Sequence, residues 1–93
     1  MFLEIVTPEA VLFSSEVTSV AVPGINGEFQ MLSNHAPVVS LLNAGIIKIE
    51  ASKVSIDEKF EDRFTKTVDG RLGFSIKSGT LEMKDNKAII LAD

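Results

Sequence analysis

Cysteine, tryptophan and tyrosine are all missing from this chain, and histidine occurs once, at His35. Without cysteine there is no disulfide staple and no thiolate metal site. A single imidazole does not complete a zinc set, and Asp57-Glu58 and Glu61-Asp62 lack the spacing and the glycine of a calcium loop, so no metal is expected. Basic clusters are scarce as well. Nine Lys+Arg stand against 13 Asp+Glu, a net charge of −4, which argues against nucleic acid, because phosphate binding needs grouped cations that release counterions. Lys84 and Lys87 flank one turn but share it with Asp85, the pattern of a solvated turn. Gly24 and Gly27 are followed by no Lys-Ser/Thr, so no phosphate loop is indicated. Met1-Phe2-Leu3-Glu4 does not open a basic region followed by a long apolar run, and no Asn-x-Ser/Thr sequon occurs. No apolar stretch approaches the roughly 20 residues that span a bilayer. A cytosol-like compartment is expected, with any hold on a membrane supplied by another protein.

The inventory also limits catalysis. An enzyme needs converging acids, bases or nucleophiles. Ser33 or Ser40 with His35 is the one relay the residues offer, but there is no Gly-x-Ser-x-Gly elbow and Ser33 is only two positions from His35. Catalysis by this chain alone is not expected, and no cofactor is implied. Function is expected to lie in surfaces.

What the chain does have is short period-2 segments. Leu72, Phe74 and Ile76 alternate with Gly73, Ser75 and Lys77; Ile47 and Ile49 alternate with Lys48 and Glu50; Val54 and Ile56 alternate with Lys53, Ser55 and Asp57. Such patterns predict strands with one buried and one wet face. Asp69-Gly70 suits the two positive-φ positions of a type I′ hairpin turn, and Asp85-Asn86 is a similar candidate. Residues 23–27 and 43–45 read as further connections. Val17 and Val20 do not share a face unless a bulge lies between them. Phe60 and Phe64, at i and i+4, allow one helical turn or a charged hairpin tip. A 45% apolar content in 93 residues supports one core and one domain, 1–93. Many short strands with frequent turns predict an all-β sandwich or barrel.

One segment gathers most of the unusual residues: Val22-Pro23-Gly24-Ile25-Asn26-Gly27-Glu28-Phe29-Gln30-Met31-Leu32-Ser33-Asn34-His35-Ala36-Pro37-Val38-Val39-Ser40. Turn glycines and a strand-initiating proline explain part of it; loops that carry partner surfaces explain the rest equally well. The segment resembles the pattern Val-Pro-Gly-x-x-Gly-Glu-apolar-Gly-apolar-apolar-Pro-Gly-His-Ala-Pro of the epsilon subunit of F-type ATP synthases. Leu3-Glu4-Ile5-Val6-Thr7-Pro8-Glu9, Leu12-Phe13-Ser14 and Val17-Thr18-Ser19-Val20 are similar to the start of that family's β-sandwich domain. Ser78-Gly79-Thr80-Leu81-Glu82-Met83 and Ile89-Ile90-Leu91-Ala92-Asp93 are similar to its last two strands. The matches occur in order and cover nearly the whole chain except roughly residues 51–71.

The resemblance implies a flattened two-sheet β-sandwich of about ten strands. It implies a non-catalytic rotor subunit of the central stalk, beside the gamma subunit and against the polar loops of the c-ring, reaching the catalytic alpha/beta hexamer indirectly. Glu28 and His35 match positions facing the c-ring loops and gamma; Thr7 and Ser40 match positions near gamma. Glu28 would pair with a cation or accept hydrogen bonds there, and His35 would donate and accept at once. A peripheral place on the cytoplasmic face of a bacterial inner membrane follows, with a thylakoid as the second choice. The sequence departs from the pattern in three ways. Ser33-Asn34 replaces Pro-Gly, a turn that Asn tolerates next best after Gly. Gln30 replaces a usual Gly. Residues 51–71 are longer than the family's short connection and predict an extended charged hairpin, with Val54 and Ile56 paired against Phe64 and Val68, or else a contact special to this lineage. The given sequence stops at Asp93, where relatives usually continue into a helical hairpin, so neither ATP binding nor a helical brake is expected. A stand-alone β-sandwich protein-binding or adhesion module is the alternative, and it would call for aromatic residues or disulfides.

Overall fold

The computed structural model describes residues 1–54 and 56–93. Ten strands occur among them: β1 Phe2–Val6, β2 Val11–Glu16, β3 Ser19–Gly24, β4 Gly27–Leu32, β5 Val38–Leu42, β6 Gly45–Glu50, β7 Phe64–Lys66, β8 Leu72–Ile76, β9 Gly79–Lys84 and β10 Lys87–Ala92. The all-β expectation holds. Hydrogen bonding follows one path, β2-β1-β10-β9-β5-β3-β6-β8-β7, with β4 on the free side of β3. All pairings are antiparallel except β1 with β10.

The path curls so that two five-strand layers face each other. β2-β1-β10-β9-β5 form the first and β4-β3-β6-β8-β7 the second. Their ladder junction is thin: β5 meets β3 only at Gly24↔Leu42. The Asn43 amide donates to the Pro23 carbonyl beside it at 2.8 Å. At the opposite seam, the Phe13 and Phe64 rings lie 5.9 Å apart, and Phe64 lies 5.0 Å from Phe74. Between the layers, Leu3, Ile5, Val20, Val22, Met31, Ile47, Ile49, Phe74, Leu81, Met83 and Ile90 are almost wholly buried. At about 1.5–3 kcal/mol per fully buried large apolar side chain, this cluster is the dominant favourable term in folding.

Alternation explains most of the elements. Ile47 and Ile49 turn inward opposite Phe74 and Leu72, while Lys48 and Glu50 turn outward. Asp85 and Asn86 adopt φ of 52° and 61°, which closes β9–β10 as a two-residue turn with both residues left-handed, the type I′ signature.

Three expectations are corrected. Val17 and Val20 are both buried without a bulge between them. The chain changes layers there instead: the Val17 amide donates to Met1 of the first layer's start at 2.8 Å, and the Thr18 amide donates to Glu50 of the second at 2.7 Å. A bulge does exist, earlier, where Ile5↔Phe13 is followed by Val6↔Val11, so Leu12 is unpaired and buried beside Phe13. The hairpin at Asp69-Gly70 forms, but only Gly70 is left-handed (φ 88°). Bonds between Thr67 and Arg71 and from Gly70 to Thr67 make it a longer loop with a left-handed glycine, not a type I′ turn.

The third correction concerns residues 51–71. No strand contains Val54 or Ile56, and among the described residues β7 pairs with β8 alone, Phe64↔Phe74. A 3₁₀ helix, Glu58–Arg63, leads into β7. Asp57 caps it, its carboxylate accepting from the Lys59 amide at 3.0 Å. Ile56 and Phe60 pack against the core without joining a strand, and Phe64 is buried opposite Phe74. Ser55, part of the expected alternation, lies outside the described residues.

Candidate functional site

Among the described residues β4 pairs only with β3, which leaves its other edge without a ladder partner. Glu28 stands near the start of that strand and His35 in the turn beyond its end. Four residues of strand separate Glu28 from Leu32, roughly 13 Å, so the fold does not bring the two together as one cluster. It places them as two polar points along one edge.

Glu28 faces outward from β4 opposite Pro23, and Lys48 faces outward from β6 opposite Ala21. Their side chains reach diagonally across the small outer surface of β3 and pair at 3.0 Å, with 48% and 29% of each side chain exposed. A half-exposed pair of this kind is worth well under about 1 kcal/mol to stability. Its consequence is orientation: one carboxylate oxygen is engaged, and the side chain is aimed along the surface.

His35 is exposed. Its amide donates to Leu32 at 3.1 Å, closing a turn in which Asn34 adopts φ 65°, so asparagine does take the left-handed position expected of it. Nδ1 lies 2.7 Å from the Ala36 carbonyl. A carbonyl only accepts, so this bond calls for the proton on Nδ1, which leaves Nε2 as the acceptor of the neutral ring.

Thr7 and Ser40 are placed differently. Thr7 is only 6% exposed. Its hydroxyl spans the β1–β2 turn, donating to Ala10 at 3.4 Å and accepting from the Glu9 amide at 3.3 Å. Ser40 is half-buried on β5, and its hydroxyl donates to Leu41 at 3.0 Å. It lies between Val39 and Leu41, exposed by 78% and 60%.

Those two neighbours begin a surface that residue reading passed over. Register carries a row across the outer side of the first layer, Leu41–Thr80–Leu91–Val6–Val11, one residue from each strand. Leu41, Leu91 and Val11 are each about half exposed or more. Val39 and Ile89 lie beside the row with Glu82 between them, and Ile25 adjoins Leu41 and Leu91 in a shallow groove. A signal for it was present. Val38-Val39, Leu41-Leu42 and Ile89-Ile90-Leu91 are unbroken apolar pairs and triplets where a one-sided sheet calls for alternation. Strands read that way have apolar residues on both faces, and the outer one needs a cover.

A third group is structural. Arg71 pairs with Asp69 at 2.8 Å, and Thr67 also donates to Asp69. Hydrogen bonding from Arg71 first, then Thr67, holds the Asp69 carboxyl well below the ordinary carboxylate range, while the Arg71 guanidinium is raised by the same pair. These bonds lock the β7–β8 loop. Among the described residues, no three acidic or histidine side chains converge as a metal set, and no helix is long and apolar enough to cross a membrane.

Residues 1–61 match the family model described as "ATP synthase, Delta/Epsilon chain, beta-sandwich domain". The chain is 38% identical to the ATP synthase epsilon chain of Chlorobium limicola over 98% of its own length and 86% of the relative's. It is 40% identical to that of Campylobacter curvus over its full length, but spans only 60% of that longer protein. Two solved structures share the fold. One is a chain of the Tetrahymena thermophila mitochondrial ATP synthase central stalk and c-ring, with TM-score 0.72, 16% identity, and coverage of 99% of this chain and 62% of that one. The other is from the Euglena gracilis mitochondrial ATP synthase, with TM-score 0.72, 18% identity, and coverage of 97% and 48%. Matching in model, in relatives along nearly its whole length and in fold, this chain belongs to the ATP synthase delta/epsilon family as its β-sandwich domain.

Proposed function

We propose that the chain is a non-catalytic part of the ATP synthase rotor, joining the gamma subunit to the polar loops of the c-ring and so passing torque towards the catalytic hexamer. The observation that carries this reading is the uncovered apolar row Leu41–Thr80–Leu91–Val6–Val11, set on one face of the sandwich, together with a separate polar edge marked by Glu28 and His35. A coupling part needs two unlike contacts on a stiff body. The apolar face suits a lasting partner, gamma, because apolar interfaces of this kind bury permanently. The polar edge suits the hydrophilic c-ring loops. The close-packed core between the layers limits yielding when force enters at one contact and leaves at the other. Ser40 alternates to the other face from Val39 and Leu41, opposite the buried Leu81, so it supports the gamma side from within β5, as Thr7 does from the β1–β2 turn. The place of work is peripheral, on the cytoplasmic face of a bacterial inner membrane, in keeping with the bacterial sources of the relatives.

Co-purification tests the gamma half. The chain is expected to form a stable complex with a matching gamma subunit. Leu41→Asp with Leu91→Asp is expected to weaken it at least about thirty-fold, roughly 2 kcal/mol, while the circular dichroism of the isolated chain stays unchanged. A chain indifferent to gamma contradicts the reading. For the ring half, Glu28→Ala with His35→Ala is expected to lower the coupled proton-pumping rate of the reassembled enzyme without unfolding the domain; normal pumping and assembly would remove both residues from that contact.

A further inference from the structure

The turn that carries His35 is anchored from a distant part of the chain. Asn34 occupies the left-handed region, φ 65°, where its family pattern has glycine and where a residue with a Cβ carries a strain that glycine does not. Its amide donates to the Asn86 side-chain oxygen at 2.7 Å, across 52 residues of sequence. Asn86 is itself fixed. It is the second residue of the β9–β10 turn, at φ 61°, and its backbone carbonyl accepts from the Phe2 amide at 3.0 Å. One residue therefore joins the start of β10, the start of β1 and the turn after β4. The preceding residue, Ser33, is also held, its hydroxyl accepting from the Met1 amine at 3.2 Å. The next residue, His35, is exposed and its ring hydrogen-bonds only to the Ala36 carbonyl among the described residues, so its direction depends on the backbone of this turn.

We propose that Asn86 is a positioning residue for His35: its side-chain carbonyl holds the Asn34 amide, fixing a left-handed turn built without glycine, and so presents Nε2 of His35 outward at the end of the β4 edge. The proposal rests on the reading of that edge as a partner contact, but its first half concerns the isolated chain alone. The Asn86 position requires positive φ, so Asn86→Gly keeps the β9–β10 turn and removes only the acceptor, whereas Asn86→Asp keeps an acceptor in place.

Amide hydrogen exchange by NMR on the 93-residue chain separates the outcomes. In Asn86→Gly the Asn34 amide is expected to exchange roughly ten-fold faster, the value of one lost hydrogen bond, with His35 ring resonances shifted and the β1, β3 and β9 amides unchanged. Asn86→Asp is expected to retain the wild-type protection. Unchanged Asn34 exchange in Asn86→Gly overturns the proposal, and so does a loss of protection spread over all strands, which marks Asn86 as a general stabiliser. The same variants are then reassembled with gamma and the c-ring. If the turn loosens yet proton pumping is unaffected, the positioning stands and the contact role of His35 falls.

Discussion

At Asp69 a single carboxylate shows how far a local turn is set by its own side chains. Arg71 and Thr67 both bond it, and the Thr67 hydroxyl also accepts from the Arg71 amide at 3.0 Å, so the loop before β8 is closed by side chains as much as by backbone. The folded-state pKa of Asp69 is depressed, chiefly by the Arg71 hydrogen bond, relative to an ordinary value of 3.8. A depressed carboxylate contributes stability that is present above its unfolded value and lost as pH falls through the folded one. Asp69→Asn is therefore expected to be less stable than wild type at neutral pH, with the gap narrowing below the ordinary value as the wild-type carboxyl protonates. Urea unfolding at several pH values checks it; a gap that is constant with pH would show that the charge of Asp69 contributes nothing. The sequence made this turn visible through Asp69-Gly70 but not its form, because the three side-chain bonds that lengthen it involve Thr67 and Arg71, residues with no turn signature of their own. Asp85-Asn86 was legible in full, since both positions carry the residue types that left-handed backbone favours.

Among the elements, β7 is the most dependent on one residue. It has three residues and a single ladder partner, β8. Phe64 anchors it, 8% exposed, between Phe13 and Phe74, and Arg63 stacks over the Phe74 ring at 5.5 Å. Phe64→Ala is expected to cost about 3 kcal/mol or more. Unfolding by denaturant should show it as a lower midpoint, with the 3₁₀ helix and β7 losing amide protection first. A loss below about 0.5 kcal/mol, the range of ordinary surface changes, would mean that the seam between β2 and β7 is not closed by this ring cluster. Residues 51–63 were not legible because the same Val54, Ile56 and Phe60 fit a strand or a helical turn. In the fold Phe64 pairs opposite Phe74, while Ile56 and Phe60 pack on the core from outside any strand, contacts that no local pattern specifies. The layer change at Val17–Thr18 was hidden for a related reason. Two adjacent amides bonding to different layers produce two inward valines three apart, which in a single strand would imply a bulge.

For the whole molecule, the curl of one ladder path into two layers decides which apolar residues are core and which are surface. Leu42 and Leu41 are neighbours in sequence, yet one is 4% exposed at the layer junction and the other 60% exposed on the outer face. Composition and alternation carried the all-β fold, and ordered blocks carried the family. The outer row needed register, because only register joins Leu41, Leu91 and Val11 across five strands. Glu28 was legible as a contact candidate; its tie to Lys48 was not, since the two are brought together over β3 by pairings that no local pattern specifies. Thr7 is nearly buried, and its hydroxyl closes the β1–β2 turn. The molecule is thus a close-packed body with an exposed apolar row on one face and a polar edge along β4.

Because the chain has no cysteine, a single introduced thiol reports on one position alone. Leu41→Cys and Glu28→Cys, each carrying a short photo-activated cross-linker and assembled into the complete ATP synthase, test the two contacts in one measurement by mass spectrometry of the adducts. The expected result is that Leu41→Cys couples to gamma and Glu28→Cys to a c subunit. Adducts of both positions with the alpha or beta subunits, or of neither with gamma and c in a fully assembled enzyme, would contradict the rotor account.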